Sequence, residues 1–196
     1  MKKGLITIVV LAVVAFLLFS WGKNTYNGLV QSDEAVQAAW SQVENVYQRR
    51  ADLIPNLVAT VKGYAEHESS TLQAVIDARA KATQVTVDAS NLTEEQIAKY
   101  QAAQGELSQA LGRLIAVSEA YPDLKANENF KDLQAQLEGT ENRITVERQK
   151  FNEEAQSYNT KIRTFPTNLI AGLFNFDRKG YFKAAEGAET APKVEF

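Results

Sequence analysis

The sequence contains no cysteine and only one histidine among its 196 residues. The lack of cysteine excludes a disulfide framework, a thiolate nucleophile, a lipid-modified cysteine and every cysteine-based metal site. Neither sign of charge is in large excess, because setting aside Lys2 and Lys3 leaves 19 basic and 24 acidic residues. A mildly acidic body of this kind argues against binding to nucleic acids.

The usual signatures of catalysis are also missing. There is no glycine-rich phosphate-binding loop and no G-x-S-x-G nucleophile motif. The one histidine, His67, stands between Glu66 and Glu68. Consecutive helical residues point about 100° apart, so these three side chains do not converge on one metal ion. We therefore predict a surface histidine, no metal site, no cofactor and no enzymatic activity.

An uncharged run does stand out at the N-terminus. Residues 4–22 carry no charged side chain and approach the roughly 20 residues that a helix needs to cross a bilayer. Trp21 stands where interfacial aromatic residues are common. We predict a transmembrane anchor; the alternatives are a cleaved signal peptide and a buried soluble helix. More lysines before the run than after it favour a body on the outer or periplasmic side of a bacterial inner membrane.

After the anchor, apolar residues recur in steps of three and four along three segments, the spacing that packs helices against one another. The first stripe covers residues 36–64, and helix-forming residues continue to Ala82. Pro55 interrupts this stripe at a cost of about 3 kcal/mol. The helix either kinks there, as the unbroken phase of the stripe favours, or ends and restarts. The other two stripes cover residues 97–121 and 130–162.

Capping residues mark where the later helices begin and end. Thr93, with Gln96 three residues further on, is typical of a capping box before the second stripe. Asn127 is predicted to cap the third stripe, and Phe165-Pro166 to end it.

Charged residues interrupt two of the apolar stripes: Arg50 lies on the first stripe, and Glu141 and Arg148 lie on the third. A buried arginine needs a partner, because an unpaired charge inside a protein is strongly destabilising. We expect Arg50 to pair with Glu141, and we consider a buried layer of Arg50, Glu141 and Arg148, extended by Asn152 and Asn159. The alternative is that these side chains lie at the stripe edges in solvent.

A dense apolar patch follows Pro166, beginning with a short helix that Thr167 is predicted to cap. Its members are Leu169, Ile170, Leu173, Phe174, Phe176, Tyr181 and Phe182. Such a patch is covered by the bundle, by a partner or by the membrane, and packing on the bundle is the first expectation. The final residues, 192–196, are predicted to be a short extended segment or a free peptide for a partner's groove.

The most specific motif is Arg49-Arg50-Ala51-Asp52-Leu53-Ile54-Pro55-Asn56-Leu57-Val58. Further segments accompany it: Tyr26-Asn27, Ala39-Trp40-Ser41-Gln42-Val43, Ala78-Arg79, Tyr121-Pro122, Glu141-Asn142-Arg143-Ile144, Tyr158-Asn159 and Phe165-Pro166. In these segments the chain resembles the LemA family of bacterial membrane-anchored proteins, over everything after the anchor. The resemblance implies a membrane-tethered four-helix bundle. It implies no activity, because the family has no settled biochemical function, although some relatives are linked to magnetosome formation.

We therefore predict an all-α fold, with an N-terminal transmembrane helix followed by an elongated up-and-down antiparallel four-helix bundle. The anchor covers residues 1–25, the bundle 26–183 and a tail 184–196. The predicted function is a noncatalytic scaffold or adaptor of the bacterial envelope that acts through protein contacts or self-assembly. Alternatives are a lipid or small ligand held in the core, and regulation of an envelope enzyme. The candidate structural or partner-facing residues are Arg49, Arg50, Asp52, Pro55, Asn56, Glu141, Arg148, Phe165 and Pro166.

Overall fold

The computed structural model describes residues 2–184, which contain six α-helices and no strand. The helices are α1 (Lys2–Lys62), α2 (Ser69–Gln84), α3 (Glu94–Val117), α4 (Pro122–Ala126), α5 (Glu128–Arg163) and α6 (Thr167–Leu173). Short 3₁₀ turns precede α2 and follow α3. The all-α prediction is confirmed. Residues 192–196 lie outside the described part of the chain, so both predictions for them stay predictions.

The first helix joins the predicted anchor to the body without a break. It is 61 residues long, about 90 Å at the usual helical rise. Residues 4–19 are exposed on every face, and this part of α1 is long and apolar enough to cross a membrane. A buried soluble helix is therefore the wrong interpretation. The helix also continues through Pro55, so the alternative that one helix ends there and another begins is wrong.

The expected continuation of this helix to Ala82 is also wrong. α1 ends at Lys62, and the chain turns through Gly63 and one 3₁₀ turn into α2. On α2 the buried side chains are Leu72, Val75, Ala78 and Ala82. If the helix continued straight, these apolar side chains would lie in water. Because the chain folds back, they pack against the end of α1 that is far from the anchor.

The four long helices form an up-and-down bundle, as predicted. α5 runs antiparallel to α1, because Lys161 Nζ donates to Ser32 Oγ (2.6 Å) near one end and Asn127 Nδ2 to Tyr64 Oη (2.9 Å) near the other. α2 runs antiparallel to α3, since Gln104 Nε2 donates to the Ala82 carbonyl (3.3 Å) near the end of α2, and Tyr121 Oη, beyond the end of α3, donates to Glu68 Oε1 (3.2 Å) before the start of α2. α4 is a connector before α5, and α6 packs on α1 and α5.

The core has two parts, which we name by their distance from the anchor. The distal cluster consists of Leu53, Ile54, Leu57, Val61, Ala65, Leu72, Val75, Ala78, Ala82, Leu107, Ala110, Leu111, Leu114, Leu124, Phe130 and Leu137. The proximal cluster consists of Leu29, Val36, Trp40, Val43, Tyr47, Leu92, Ile97, Tyr100, Ile144, Phe151, Ala155, Tyr158, Ile162, Ala171 and Phe182. The apolar stripes read from the sequence thus form one continuous seam with two chemically different halves.

The proximal half lacks a fourth long helix, because α2 ends at Gln84 and α6 is only seven residues long. Two non-helical segments take its place. One is the α2–α3 loop, residues 85–93, which places Val85, Val87 and Leu92 against the proximal cluster. The other is the segment of residues 176–183, here called the strap, which contributes Phe176, Tyr181 and Phe182.

Two of the three predicted helix caps are confirmed, but the predicted capping box is incomplete, because Gln96 Oε1 accepts no hydrogen bond from residues 2–184 and the Thr93 amide donates to the Asn91 carbonyl. Thr93 Oγ1 accepts from the Gln96 amide at 3.2 Å, and Asn127 Oδ1 accepts from the Phe130 amide at 2.9 Å. The predicted Thr167 cap is wrong, because Thr167 is already the first residue of α6 and its side chain makes no capping bond. The Leu169 amide donates instead to the Pro166 carbonyl at 3.1 Å.

Candidate functional site

Arg50 lies at the junction of the two core clusters, where its side chain is 2% exposed. Its Nη1 donates to Glu141 Oε2 (2.9 Å) and to Ser108 Oγ (2.7 Å). Its Nη2 donates to the side-chain and backbone oxygens of Gln104, at 2.7 and 3.1 Å. The predicted pairing of Arg50 with Glu141 is therefore present, and one guanidinium joins α1, α3 and α5.

The larger buried layer predicted around this pair is not formed. The Glu141 side chain is 54% exposed, so the ion pair reaches the surface on one side. Arg148 lies two turns further along α5, about 10 Å away along the axis, and does not reach Arg50. Its Nη2 donates instead to the Lys183 carbonyl at 3.0 Å, and its guanidinium stacks 4.7 Å from the Phe182 ring centre. Arg148 therefore holds the strap.

Asn152 and Asn159, which we also assigned to the layer, bind the strap too. Asn152 bonds both the carbonyl and the amide of Phe182, each at 2.9 Å. Asn159 bonds the carbonyl and the amide of Lys179 at 2.8 and 2.9 Å. Each asparagine satisfies a buried backbone donor and acceptor that no helix or sheet would otherwise pair. Asn152 and Asn159 are seven residues apart on α5, about 10 Å along the helix. This distance equals the length of the three extended residues that separate Phe182 from Lys179 in the strap.

Lys179 of the strap is a buried charge that the sequence analysis missed. Its side chain is 8% exposed, and Nζ lies 2.7 Å from Asp33 Oδ1 and 3.1 Å from the Ser90 carbonyl. It also lies 5.5 Å from the ring centre of Tyr158. The strap has no periodic pattern, so no signal in the sequence distinguishes this lysine from a surface one.

Pro55 is exposed, and it opens a contact that the sequence analysis also missed. Proline has no N–H group, so the carbonyl of Ala51, one turn earlier, loses its helical donor. Arg79 of α2 supplies the replacement, because its Nε donates to this carbonyl at 2.8 Å. The proline that interrupts α1 therefore creates the acceptor that links α1 to α2. The signal was available, since any interior proline frees a known carbonyl for a neighbouring cation.

The other residues of the central motif face away from the core. Arg49, Asp52 and Asn56 are exposed on the outer side of α1. Asp52 accepts from Gln48 on the same helix at 2.7 Å. Arg49 lines an open groove of about 530 Å³ between α1 and α5, together with Arg143. The motif therefore divides between an inward face that packs and an outward face that is available.

Phe165 and Pro166 form a corner between α5 and α6. The peptide bond between them is cis, and the Phe165 side chain is 76% exposed. Of the apolar patch that follows, Phe176, Tyr181 and Phe182 pack on the bundle, but Leu169, Leu173 and Phe174 remain more than half exposed. The expectation that the bundle covers this patch is correct for Ile170 and for its second half, Phe176, Tyr181 and Phe182.

Aromatic rings pack against one another in the proximal part of the core, where a bound lipid or small ligand was one alternative. The Trp40 ring lies 5.2 Å from that of Tyr100, 5.4 Å from that of Phe151 and 5.7 Å from that of Phe182. Burial raises the pKa of the Tyr47 and Tyr100 hydroxyl groups, so both stay neutral at physiological pH. These rings therefore fill the core.

The grooves on the described surface are lined by mixed polar and apolar side chains. One groove of about 700 Å³ is open to solvent beside the strap and is lined by Arg148, Asn152 and Lys183, among others. His67 is exposed, as predicted. Within residues 2–184, no three histidine or acidic side chains are grouped so that they hold a metal ion.

Fold and site together define a helical bundle built on a candidate membrane span, in which Arg50 joins three helices and Asn159 and Lys179 fix the strap. The LemA family model matches residues 39–196, and the chain belongs to this family. It is a membrane-associated helical protein, as the resemblance implied.

Similar proteins include two magnetosome proteins and a protein named LemA. Magnetosome protein MamQ 2 of Paramagnetospirillum magneticum is 30% identical, over 95% of this chain and 74% of its own length. Magnetosome protein MamQ of Magnetospirillum gryphiswaldense is 29% identical over the same shares, 95% and 74%. Protein LemA of Metamycoplasma hominis is 26% identical, over 82% of this chain and 69% of its own length.

Proposed function

We propose that this protein is a noncatalytic scaffold or adaptor of the bacterial envelope, held by a single membrane span with its body on the outer side. In this proposal the outward face of α1, defined by Arg49, Asp52, Pro55 and Asn56, binds a protein partner or a second copy. The continuity of α1 supports it, because the helix that enters the membrane is the helix that presents this face.

The observation that carries the proposal is the contrast between neighbouring residues of one motif. Arg50 makes four hydrogen bonds to α3 and α5. Arg49, Asp52 and Asn56, spaced three and four residues apart, share an exposed face. Among residues 2–184 their side chains make no hydrogen bond or ion pair with another helix. They therefore add little to the stability of the bundle and are free to bind.

The position of this face follows from the rigid connection. Asp52 is 31 residues beyond Trp21 on the same helix, which places it about 45 Å from the membrane boundary. A partner at this height is either a soluble protein or the projecting domain of another membrane protein. If the partner is an enzyme, the protein regulates an envelope enzyme, which is the alternative function given above. The same outward face of α1 would bind it.

Site-specific photo-cross-linking in living cells tests the proposal. A photoreactive amino acid replaces Asn56 in the full chain, and Gln109, exposed on α3, carries it in the matched control. We expect a discrete cross-linked species at position 56 and none at position 109. The compartment of the cross-linked protein also reports the side of the membrane on which the body lies.

A charge reversal makes this experiment specific. Arg49→Glu combined with Asp52→Lys keeps the net charge and should abolish the cross-link at position 56 while leaving the helical content unchanged. Identical cross-linking patterns at positions 56 and 109, or a cross-link that survives the double reversal, would show that this face is not the binding surface.

A further inference from the structure

The exposed apolar side chains of the body are concentrated at the corner that begins with Phe165. Phe165 (76%), Leu169 (59%), Leu173 (71%) and Phe174 (52%) are all exposed, and we call this group the α6 patch. Large apolar residues exposed further from the anchor, such as Ile76 (44%) and Val146 (49%), belong to other helices. Soluble surfaces rarely leave such a group uncovered, so the α6 patch requires an occupant.

The packing of α6 sets its height relative to the anchor. Ile170 Cδ1 lies 3.8 Å from the position that a Cβ atom on Gly22 would occupy, and the Phe174 ring centre lies 4.7 Å from that of Tyr26. Gly22 directly follows the uncharged run, and Tyr26 is about 8 Å beyond Trp21 along the helix. The headgroup layer on each side of a bilayer is about 5–8 Å deep. α6 therefore lies at headgroup level wherever the anchor is inserted.

The charged residues near the headgroup level are compatible with contact to a membrane surface. Residues 20–28 contain one charged residue, Lys23, and residues 163–176 contain one, Arg163. Both are basic and exposed. A headgroup layer that contains anionic lipids attracts basic residues and receives leucine and aromatic side chains at its acyl boundary. Acidic residues are absent from both segments. Asp177, which follows the second segment and lines a groove with Phe174, is directly followed by the basic residues Arg178 and Lys179.

We propose that the α6 patch inserts into the lipid headgroup and acyl boundary of the membrane that holds the anchor. The bundle would then rest on the bilayer through two contacts, the span of α1 and the side chains of Phe165, Leu169, Leu173 and Phe174. The bilayer is favoured over a second copy because it already meets α1 at Trp21, and α6 packs on the next turn of the same helix. The proposal rests on membrane anchoring and is independent of what binds the outward face of α1.

The absence of cysteine allows a direct test, since a single introduced cysteine is labelled without competition. The full chain with Leu173→Cys or Leu169→Cys carries an environment-sensitive NBD fluorophore. It is reconstituted, at high dilution, into phosphatidylcholine and phosphatidylglycerol vesicles. Nitroxide groups at a shallow position of the lipid chains then quench any label at the acyl boundary. Ile76→Cys, exposed on α2 and far from the anchor, is the matched control, and Phe16→Cys within the span gives the signal of full insertion.

We expect the labels at positions 169 and 173 to emit at shorter wavelength than the label at position 76. They should also lose most of their intensity to the nitroxide lipids, as the label at position 16 does, whereas the label at position 76 keeps its intensity. Labels at 169 and 173 that match the one at 76 would overturn the proposal. The proposal would also be overturned if these labels shift to shorter wavelength only at high protein density and are not quenched by the nitroxide lipids. That pattern would show that a second copy of the protein covers the patch. Neither result bears on the cross-linking at position 56, so the two proposals fail separately.

Discussion

In the distal half of the bundle, four helices surround a core that is aliphatic except for Phe130, whereas in the proximal half α2 is absent and rings fill the core. The distal half is closed by α2, whose apolar stripe repeats that of its neighbours. The proximal half is closed by the α2–α3 loop and the strap, which have no repeat. Their backbone groups must be paired individually, and Asn152 and Asn159 pair them.

This difference shows two ways of covering the same helical seam. A helix satisfies its own backbone, so it needs only an apolar face to pack. An extended segment brings unpaired donors and acceptors into the core and therefore requires polar side chains at set positions. Trp40, Tyr100, Phe151 and Phe182 supply wide, flat surfaces where the helical ridges are missing.

Substitution of Arg50, which lies between the two halves, is expected to cause the largest loss of stability. Arg50→Met removes four hydrogen bonds and leaves the Gln104 side-chain carbonyl without its donor. Glu141 is half exposed and regains water, which limits the loss. We expect the free energy of unfolding to fall by about 2–3 kcal/mol, measured by denaturation of the full chain in detergent.

Arg49→Met is the control, because it removes the same charge from the adjacent, exposed position. It should change the stability by no more than about 0.5 kcal/mol. Equal losses for the two variants would mean that the polar junction does not couple the halves.

A substitution in the strap, Gly180→Ala, is expected to cause the next largest loss of stability. A Cβ atom on Gly180 would lie 2.6 Å from Glu94 Cα and 2.7 Å from Glu94 N, at the start of α3. Gly180→Ala must therefore displace the strap, because the neighbouring atoms belong to a helix backbone. We expect a loss of about 1–3 kcal/mol, with faster hydrogen exchange in the strap and the α2–α3 loop than in the distal half.

Gly139→Ala serves as the comparison variant, since a Cβ atom there meets nothing within 4 Å. Alanine is favoured over glycine within a helix, so this variant should be slightly more stable than the natural protein. Uniformly faster exchange in both halves of Gly180→Ala would show that the strap and the distal helices unfold together.

The periodic part of the fold was predictable from the sequence, and the non-periodic part was not. The stripes on α1, α3 and α5 identified the core and placed Arg50 on one of them, because three- and four-residue spacing directly encodes a helix face. Whether Arg50 was buried or at the solvated edge of the stripe could not be decided from this spacing. The same reasoning predicted the end of the first helix too late, at Ala82 instead of Lys62, because apolar residues continue past Gly63 and the turn there has no signal of its own. Lys179 and the bonds of Asn159 were out of reach, because strap contacts depend on which segments meet in space.

The smallest expected effect concerns how the distal half is tied together. Arg79→Met deprives the Ala51 carbonyl of its donor, so we expect a loss of about 1–2 kcal/mol. In a Pro55→Ala background the new N–H of residue 55 restores the helical bond to this carbonyl. Arg79→Met should then cost less than half as much, a coupling of about 1 kcal/mol in the double-mutant cycle. Purely additive effects would mean that the proline and the arginine act independently, and that α2 is held on α1 by its apolar stripe alone.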